Sequence, residues 1–253
     1  MNVFLTGASS GIGAALARIY ARRGAVLGLF ARRPDALAEV AATLGDARYA
    51  CYAGDVRDAL ALRTAAADFV ARFGLPDIVI ANAGISFGTS TEHAADNEPF
   101  RAVLDTNVLG IVQTFQPFVA GMRAAHRGKL VGIASVAGFR GLPGAGAYSA
   151  SKAAAISYLE SLRVELRGSG VTVITICPGF IATPMTANNP YRMPFLLAPD
   201  KAARLITRAI ARRRRLYVLP WQMAWLGRAL RFLPRPAYDR LLARRPRKPR
   251  AAA

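Results

Sequence analysis

The chain has 253 residues, of which 53% are hydrophobic and only 19% are charged, so it can bury a large core and is not expected to be disordered. Sixteen of the 34 basic residues but one of the 15 acidic residues lie between positions 201 and 253, which gives that stretch a charge of +15 out of a total of +19. Any role of this charge in binding nucleic acid or membrane is therefore confined to the end of the chain. Cys51, Cys177, His93 and His126 lack the spacing of zinc sites and redox motifs, so no metal site is expected.

Short apolar runs alternate with longer stretches of helical periodicity along the chain. The pattern predicts an α/β fold in which a doubly wound parallel sheet of seven strands is covered by helices on both faces. The predicted strands are residues 2–6, 26–31, 48–53, 78–81, 129–134, 171–177 and 216–219. The predicted crossover helices are residues 12–23, 34–44, 59–73, 99–125, 148–166 and 199–213. In such a fold ligands bind beyond the carboxyl ends of the strands, so a site is expected in the turns that follow them.

The chain divides into three predicted segments. Residues 1–219 are expected to form one domain, residues 220–244 an amphipathic helical extension, and residues 245–253 a basic, disordered tail. The chain starts directly on a strand-like run and shows no secretory signal. No run approaches the roughly 20 apolar residues that are needed to cross a bilayer. A cytoplasmic protein is therefore the expectation, with peripheral membrane contact through the extension left open.

A glycine-rich turn joins the first predicted strand to the first helix, with the sequence Thr-Gly-Ala-Ser-Ser-Gly-Ile-Gly at positions 6–13. Gly7 permits a tight turn, Gly11 lets the main chain approach a pyrophosphate, and Gly13 allows close packing of the helix, whose N-terminus offers unpaired N–H groups. A plain strand-to-helix turn is the alternative, and the position after the first strand argues against it. The residues assigned to nucleotide binding in this turn are Gly7, Ser9, Ser10, Gly11, Ile12 and Gly13.

The end of the second predicted strand indicates which nucleotide is bound. A protein specific for NAD usually places Asp or Glu here, on the ribose 2′-hydroxyl, but this chain has Ala31 followed by Arg32 and Arg33. Guanidinium groups suit a 2′-phosphate, and no carboxylate in this turn repels it. The prediction is a preference for NADP(H) over NAD(H), although one of the two arginines has the simpler alternative role of solvating the next helix.

Further polar and glycine residues follow the later strands in a fixed order. They are Asp55 and Val56 after the third strand, Asn82, Ala83 and Gly84 after the fourth, Asn107 in the helix that follows, Ser135 after the fifth, Tyr148 and Lys152 in the next helix, and Pro178, Gly179, Ile181 and Thr183 after the sixth. Together with the glycine turn, this ordered set resembles the short-chain dehydrogenase/reductase family, in an NADP-preferring form, from Asn2 to about Arg213. The resemblance implies a Rossmann-type fold and hydride transfer between a nicotinamide cofactor and a carbonyl or alcohol.

The resemblance also implies roles for single residues. Asp55 is expected to accept a hydrogen bond from the adenine amino group, and the turn that contains Thr183 is expected to contact the nicotinamide, although Thr183 could equally be a loop hydroxyl. Asn107 is expected to shape its helix and to anchor a water molecule that links Lys152 to solvent. Asn82 has two open readings, a cofactor contact or a backbone clamp that steadies the sheet. A homodimer or homotetramer built from the long helices that contain Asn107 and Tyr148 is implied as well.

The spacing of Tyr148 and Lys152 carries chemistry of its own. Residues i and i+4 share one face of a helix, so the ammonium of Lys152 lies near the phenol of Tyr148. A nearby cation favours the phenolate, and the expectation is that the phenol pKa falls below its usual value of about 10. Tyr148 is thus the expected general acid/base, and Ser135 is expected to bind and orient the same substrate oxygen. The alternative is a half-buried aromatic ring beside a solvated lysine.

The segment 184–199 is rich in apolar side chains, among them Met185, Tyr191, Met193, Phe195, Leu196 and Leu197. In the family that the chain resembles, this segment closes over the substrate, so an apolar ketone, aldehyde or secondary alcohol is expected. Packing on the sheet or at a subunit contact is the alternative. The identity of the substrate and the direction of the reaction are not encoded in these residues.

The extension after position 219 has apolar residues at helical spacing, with Arg228 and Arg231 expected on another side. The apolar positions are 221, 225, 226, 229, 230 and 233. This basic amphipathic stretch either lies in an anionic membrane interface or packs on the protein itself or on a neighbouring subunit. Specific nucleic-acid binding is not expected, because no recognised module accompanies the charge. Two functions stand beside the enzyme as alternatives, a catalytically silent NADP-binding sensor and a membrane-surface scaffold.

Overall fold

The computed structural model describes residues 1–243 and 246–250, and a parallel seven-stranded sheet runs through its centre. The strands are β1 (Asn2–Thr6), β2 (Val26–Ala31), β3 (Tyr49–Ala53), β4 (Ile78–Ala81), β5 (Gly128–Ile133), β6 (Val171–Pro178) and β7 (Leu216–Leu219). Their order in the sheet is β3-β2-β1-β4-β5-β6-β7. Strands β2 and β3 are added on one side of β1 and strands β4 to β7 on the other, so the strand order reverses between β1 and β4. The predicted fold class is confirmed, and each predicted strand end lies within one residue of the observed one.

Helices cover both faces of the sheet. They are α1 (Gly11–Ala21), α2 (Pro34–Ala42), α3 (Ala59–Phe73), α4 (Asn97–Leu104), α5 (Gly110–Ala124), α6 (Gly146–Glu165), α7 (Pro184–Ala187), α8 (Pro199–Ala211), α9 (Trp221–Phe232) and α10 (Arg235–Leu242). The predicted helix 99–125 consists of α4 and α5 joined by a π-helical turn at Asp105–Leu109. This turn widens the helix at the position of Asn107.

Two apolar layers hold the helices to the sheet. One layer joins β1 and β2 to α1 and α8 through side chains such as Leu16 and Ile206, which are fully buried. The other contains a cluster of rings in which Phe4 of β1 lies 5.6 Å from Phe69 and 5.0 Å from Phe118, measured between centroids. Burial of each such ring stabilises the fold by about 1.5–3 kcal/mol. The strands are apolar on both sides because both sides face these layers.

The extension packs on the body of the protein through one side of α9. The side chain of Met223 lies against Gly179, which follows β6, and Gly227 lies against the ring of Phe139. Both Met223 and Gly227 are buried. A Cβ atom at Gly227 would lie 2.6 Å from the Phe139 ring, so the absence of a side chain there permits the close approach of the helix.

A second set of contacts holds α10. The guanidinium of Arg140 lies 3.9 Å from the ring centroid of Tyr238 and donates a 2.6 Å hydrogen bond to the carbonyl oxygen of Leu233. The hydroxyl of Tyr238 donates to the carbonyl oxygen of Gly141. The extension is therefore anchored on the loop that leads from β5 to α6.

The tryptophan side of α9 does not pack on the body of the protein, which was one of the alternatives left open by the sequence. The sequence placed Trp221 and Trp225 on the apolar face and Arg228 on another side, but both tryptophans are exposed and the Arg228 guanidinium lies 5.8 Å from the Trp225 ring. The small and flexible side chains of Gly227 and Met223 allow close packing that the bulky tryptophans do not. Within residues 1–243 and 246–250, no helix has the length and hydropathy needed to cross a bilayer.

The predicted disordered tail is only partly within the described residues. Residues 246–250 run beside the loop after β4, where the N–H group of Gly88 donates a 2.8 Å hydrogen bond to the carbonyl oxygen of Pro249. Contrary to the prediction, this stretch therefore has a defined place on the domain. Residues 245 and 251–253 of the predicted tail, and residue 244 of the predicted extension, lie outside the described part.

Candidate active site

A cavity of about 270 Å³ lies at the carboxyl ends of β1, β4, β5 and β6, where the strand order reverses. This is the position in which open α/β sheets bind their ligands. Most of the site residues predicted from the sequence line it. They are Gly7, Ser9, Ser10, Gly11, Ile12, Arg32, Arg33, Val56, Asn82, Ala83, Gly84, Ser135, Tyr148, Lys152, Pro178, Gly179, Ile181 and Thr183. The structure thus brings the glycine turn and the tyrosine–lysine pair to one cavity.

The glycine turn has the geometry of a phosphate cradle. Gly7 and Gly11 have φ angles of +67° and +52°, which favour glycine over other residues. Gly13 does not line the cavity, but a Cβ atom there would lie 2.0 Å from the carbonyl oxygen of Gly7. A Cβ atom at Gly11 would lie 2.9 Å from Cγ2 of Thr183. The turn therefore presents bare backbone beside the start of α1, which suits a pyrophosphate group.

Asn82 clamps the two strands at which the sheet order reverses. Its Nδ2 donates hydrogen bonds of 3.1 Å to the carbonyl oxygens of Thr6 and Gly7, and its N–H group donates one of 3.2 Å to the hydroxyl of Thr6. The clamp reading of Asn82 is therefore seen directly. Because Asn82 also lines the cavity, it holds the glycine turn in place from behind.

Arg32 and Arg33 lie at the nucleotide end of the cavity, but Asp55 does not line it. The carboxylate of Asp55 accepts hydrogen bonds of 2.8 and 3.1 Å from the guanidinium of Arg57, and Arg32 approaches it to 3.8 Å. Burial acts to raise the pKa of Asp55, but the hydrogen bonds from Arg57 outweigh it and lower the pKa. The side chain predicted to bind adenine is thus engaged by an arginine two residues away.

Asn107 lies behind the cavity wall rather than in it. Its side-chain amide accepts a 2.9 Å hydrogen bond from the N–H group of Ile85, donates one of 2.9 Å to the carbonyl oxygen of Ile85, and donates one of 3.0 Å to the hydroxyl of Ser151. It is completely buried in the π-helical turn. Its observed contacts join the loop after β4 to α6.

Tyr148, Ser135 and Lys152 meet at the other end of the cavity. The hydroxyl of Ser135 donates a 3.4 Å hydrogen bond to the carbonyl oxygen of Pro178 and accepts one of 3.1 Å from the N–H group of Ala137, and it lies close enough to Tyr148 to lower the pKa of the phenol. The Nζ atom of Lys152 lies 5.7 Å from the ring centroid of Tyr148 and donates a 2.9 Å hydrogen bond to the carbonyl oxygen of Ile133. The predicted i, i+4 neighbours therefore share one face of α6 and both line the cavity.

The expected direction of the phenol pKa shift is wrong. Burial raises the pKa of Tyr148 above its usual value of 10.0, and the hydrogen bond with Ser135 offsets only part of this effect. Burial also lowers the pKa of Lys152 from 10.5 to about 8. Burial therefore dominates the pKa of the phenol, and the phenol keeps its proton at neutral pH.

Several residues that line the cavity were missed by sequence reasoning. They are Ala31, Gly54, Ile85, Thr106, Ile133, Ala134, Pro184 and Thr186. The hydroxyl of Thr106 is buried and has no hydrogen-bond partner among the described residues. An unpartnered polar atom in the wall of a cavity favours a polar ligand. The only sequence feature that pointed to Thr106 was its position next to Asn107. The sequence does not show that a π-helical turn forms there and turns the Thr106 side chain towards the cavity.

The apolar side chains of segment 184–199 divide among the cavity, the core and the surface. Met185 lines the cavity, and the ring of Tyr191 lies 6.3 Å from that of Phe180. Leu197 is buried in the core beside Ile181. Phe195 and Leu196 are 48% and 45% exposed, so they lie neither in the cavity nor on the sheet.

The end of the described chain is clamped to the loop after β4. The guanidinium of Arg250 donates hydrogen bonds of 2.9, 3.0 and 3.1 Å to both carboxylate oxygens of Asp96, whose side chain is 7% exposed. The same carboxylate accepts a 2.7 Å hydrogen bond from the N–H group of Ser90. These hydrogen bonds lower the pKa of Asp96 and keep it ionised.

Lys248 bridges the loop after β4 and α7, and both segments contribute residues to the cavity wall. Its Nζ atom donates hydrogen bonds of 2.9 Å to the hydroxyl of Ser86 and 3.3 Å to the carbonyl oxygen of Met185. Arg247 lies against Gly144, in the loop before α6. Residues 246–250 therefore form a strap that ties together the loop after β4, α7 and the loop before α6.

Comparison with known proteins agrees with this geometry. A family model described as short chain dehydrogenase matches residues 1–193. An uncharacterized oxidoreductase of Myxococcus xanthus is 41% identical over 245 residues, which are 94% of this chain and 94% of that protein.

Solved structures are similar over nearly the whole fold. A short-chain dehydrogenase/reductase from Burkholderia phymatum in complex with NAD has a TM-score of 0.83 at 26% identity, over 99% of this chain and 98% of that one. An alcohol dehydrogenase from the archaeon Thermococcus sibiricus, complexed with 5-hydroxy-NADP, has a TM-score of 0.76 at 28% identity, over 86% of this chain and 94% of that one. The chain is thus an oxidoreductase and belongs to the short-chain dehydrogenase/reductase family.

Proposed function

We propose that the protein is an NADP(H)-dependent oxidoreductase that interconverts an apolar ketone or aldehyde with the corresponding alcohol, with Tyr148 as the general acid/base. The observation that carries this proposal is that Tyr148, Ser135 and Lys152 line the same cavity as the glycine turn and Arg32. A cofactor bound along the glycine turn and a substrate bound at the phenol would share one enclosed space.

The residues present suit the nicotinamide cofactor. The bare backbone of Gly7 and Gly11 would hold the pyrophosphate, and the hydroxyl of Thr106 offers an unused hydrogen-bonding group in the cavity wall. The cofactor, when bound, supplies the hydride for reduction or receives it in oxidation.

Tyr148 is the group that moves the proton. In reduction its hydroxyl donates a proton to the carbonyl oxygen, and in oxidation the phenolate takes the proton of the alcohol. The phenol, whose ordinary pKa of 10.0 is raised further by burial, is protonated at neutral pH, which is the state required for reduction. Ser135 binds the same oxygen and orients it, and the charge of the nearby Lys152 stabilises the phenolate that remains after the proton has left.

The cofactor preference rests on the nucleotide end of the cavity. None of the residues found to line the cavity in the described part of the chain is acidic, and Arg32 and Arg33 both line it. The 2′-phosphate of NADP would gain charge-assisted hydrogen bonds there, whereas NAD would gain none. The similar structures hold either NAD or an NADP analogue, so they do not decide between the two cofactors.

The cofactor preference is tested by titrating the protein with NADPH and NADH and following nicotinamide fluorescence. We expect tighter binding of NADPH, and a weakening of about tenfold or more for NADPH alone in Arg32→Ala, Arg33→Ala, since a hydrogen bond to a charged group contributes about 1.5–3 kcal/mol. Arg22→Ala is the matched control, because Arg22 is exposed and does not line the cavity. An unchanged NADPH preference in the double variant would refute the assignment.

The substrate class is tested by the loss of NADPH absorbance over a panel of apolar ketones and aldehydes. Met185 and Ile85, which line the same cavity as Tyr148, support an apolar substrate. Turnover of apolar carbonyls is the expected result. Tight NADPH binding with no turnover over a broad panel would support the sensor instead, and failure to bind either cofactor would refute the assignment of the cavity.

A further inference from the structure

Helix α9 carries an exposed stripe of large aromatic side chains. Trp221, Trp225 and Phe232 are 68%, 65% and 82% exposed, although tryptophan and phenylalanine are normally among the more buried residues. At 100° per residue, these three side chains fall within about 40° of one another around the helix. Arg228 lies on the same side, with its guanidinium 5.8 Å from the ring of Trp225.

The orientation of this stripe is fixed by the other side of the helix. Met223 and Gly227 are the buried residues of α9, and they lie against Gly179 and Phe139. Both are turned away from the tryptophans by more than about 120° around the helix. Rotating α9 to bury the tryptophans would remove the close contact at Gly227, so the stripe faces outward as a consequence of the packing.

Basic side chains surround the stripe. Between positions 221 and 243 there are four arginines, all exposed, and one acidic residue, Asp239. The arginines are Arg228, Arg231, Arg235 and Arg240. Two copies of this face brought together would oppose like charges, whereas an anionic lipid surface complements them. Tryptophan and arginine on an outward helix face are typical of segments that lie in the plane of a membrane interface.

We propose that α9 docks the protein on an anionic membrane, with the rings of Trp221, Trp225 and Phe232 among the lipid headgroups and the arginines against lipid phosphates. The helix lies on the surface and does not cross the bilayer. The site is separate from the catalytic residues, so the proposal stands or falls independently of the proposed reaction.

The chain offers a direct probe of this surface. Trp221 and Trp225 are the only two tryptophans among its 253 residues, so the intrinsic tryptophan emission reports on α9 alone. We expect a blue shift of the emission when the full-length protein is titrated with vesicles of phosphatidylcholine and phosphatidylglycerol. Lipids brominated on the acyl chains should quench it. Partitioning should be about tenfold or more weaker on vesicles of phosphatidylcholine alone, because each arginine near an anionic surface adds to binding.

Flotation with these vesicles tests whether the aromatic stripe is responsible. Trp221→Gln, Trp225→Gln should lose most of the bound fraction. The matched control is Leu60→Gln, Val164→Gln, which removes two apolar side chains of similar exposure, 64% and 59%, on other faces of the protein. This control should float like the parent chain.

Three results would overturn the proposal. They are equal binding to neutral and anionic vesicles, an undiminished bound fraction in the tryptophan variant, and a lipid-free dimer, measured by light scattering, that disappears in that variant. The last result would show that a second copy of the chain covers the stripe.

Discussion

The Nζ atom of Lys152 donates a 2.9 Å hydrogen bond to the carbonyl oxygen of Ile133 at the end of β5, and the side chain is only 4% exposed. This bond holds the lysine against the strand and not directly on the phenol of Tyr148. The lysine is therefore a buried cation with one backbone partner, and its burial lowers its pKa to about 8. Such a group costs folding free energy, which links the active site to the stability of the protein.

Replacing Lys152 tests how much folding free energy the buried ammonium costs. Because the folded-state pKa of Lys152 is about 8 and its ordinary value is 10.5, the unfolded chain binds more protons between these two pH values. The penalty is therefore complete below about pH 8 and disappears as the pH rises towards 10.5, so this group makes stability rise with pH in that window. Lys152→Met should unfold at higher urea concentration at pH 7, with a gain of up to about 3 kcal/mol.

The gain in unfolding free energy of Lys152→Met over the parent protein should decrease as the pH of the urea titration is raised towards 10.5, the ordinary pKa of the lysine. Lys201→Met is the control, because Lys201 is exposed and its removal should change stability by less than about 0.5 kcal/mol. A Lys152→Met protein that is less stable than the parent at pH 7 would show that the lysine stabilises the fold and contradict this account.

A second prediction concerns the close approach of α1 to β1. A Cβ atom at Gly13 would lie 2.0 Å from the carbonyl oxygen of Gly7, so Gly13→Ala must displace either the helix or the glycine turn. We expect a loss of about 1–3 kcal/mol in the free energy of unfolding, together with weaker NADPH binding. Gly146→Ala is the matched control, since a Cβ atom there would meet no atom within 4 Å. Equal stability and NADPH affinity in the two variants would contradict the close packing.

A third prediction concerns the strap formed by residues 246–250. Arg250→Ala removes the bidentate ion pair with Asp96. This should loosen the loop after β4 and leave the glycine turn intact. KM for the carbonyl substrate should rise while the dissociation constant of NADPH stays unchanged. Arg212→Ala, at an exposed arginine beyond α8, should leave both constants unchanged.

A substitution of Asp96 tests whether the effect of Arg250→Ala comes from the ion pair. Once Arg250 has been removed, Asp96→Asn should add little further change in KM, because two residues of one pair are not additive. If the effects of the two substitutions on KM multiply, or if NADPH binding weakens as well, the strap does not act through the substrate side of the cavity.

The sheet and the glycine turn could be predicted because their signals are local. A run such as Val26–Ala31 is apolar at nearly every position, and Gly7, Gly11 and Gly13 are needed for backbone reasons that a short stretch of sequence already contains. The pairing of Tyr148 with Lys152 follows from helix spacing alone. These parts of the structure required no knowledge of distant contacts.

Predictions that depended on distant contacts were less successful. Arg250 and Asp96 are 154 positions apart, so nothing near either residue indicates their pairing. The outward face of α9 is decided by Phe139, which belongs to a different part of the chain. The direction of the pKa shift of Tyr148 likewise depends on the depth of its burial, and burial is a property of the assembled fold.

We expect the Tyr148 hydroxyl to donate the proton to the substrate oxygen during carbonyl reduction. The most direct test compares Tyr148→Phe with Tyr158→Phe, which removes a hydroxyl from the same helix at a position that does not line the cavity. With saturating NADPH and an apolar carbonyl, Tyr148→Phe should lower kcat by about 10²–10⁴-fold while its NADPH affinity and fold are kept, and Tyr158→Phe should retain the parent rate. Turnover by Tyr148→Phe at the rate of Tyr158→Phe would contradict the account.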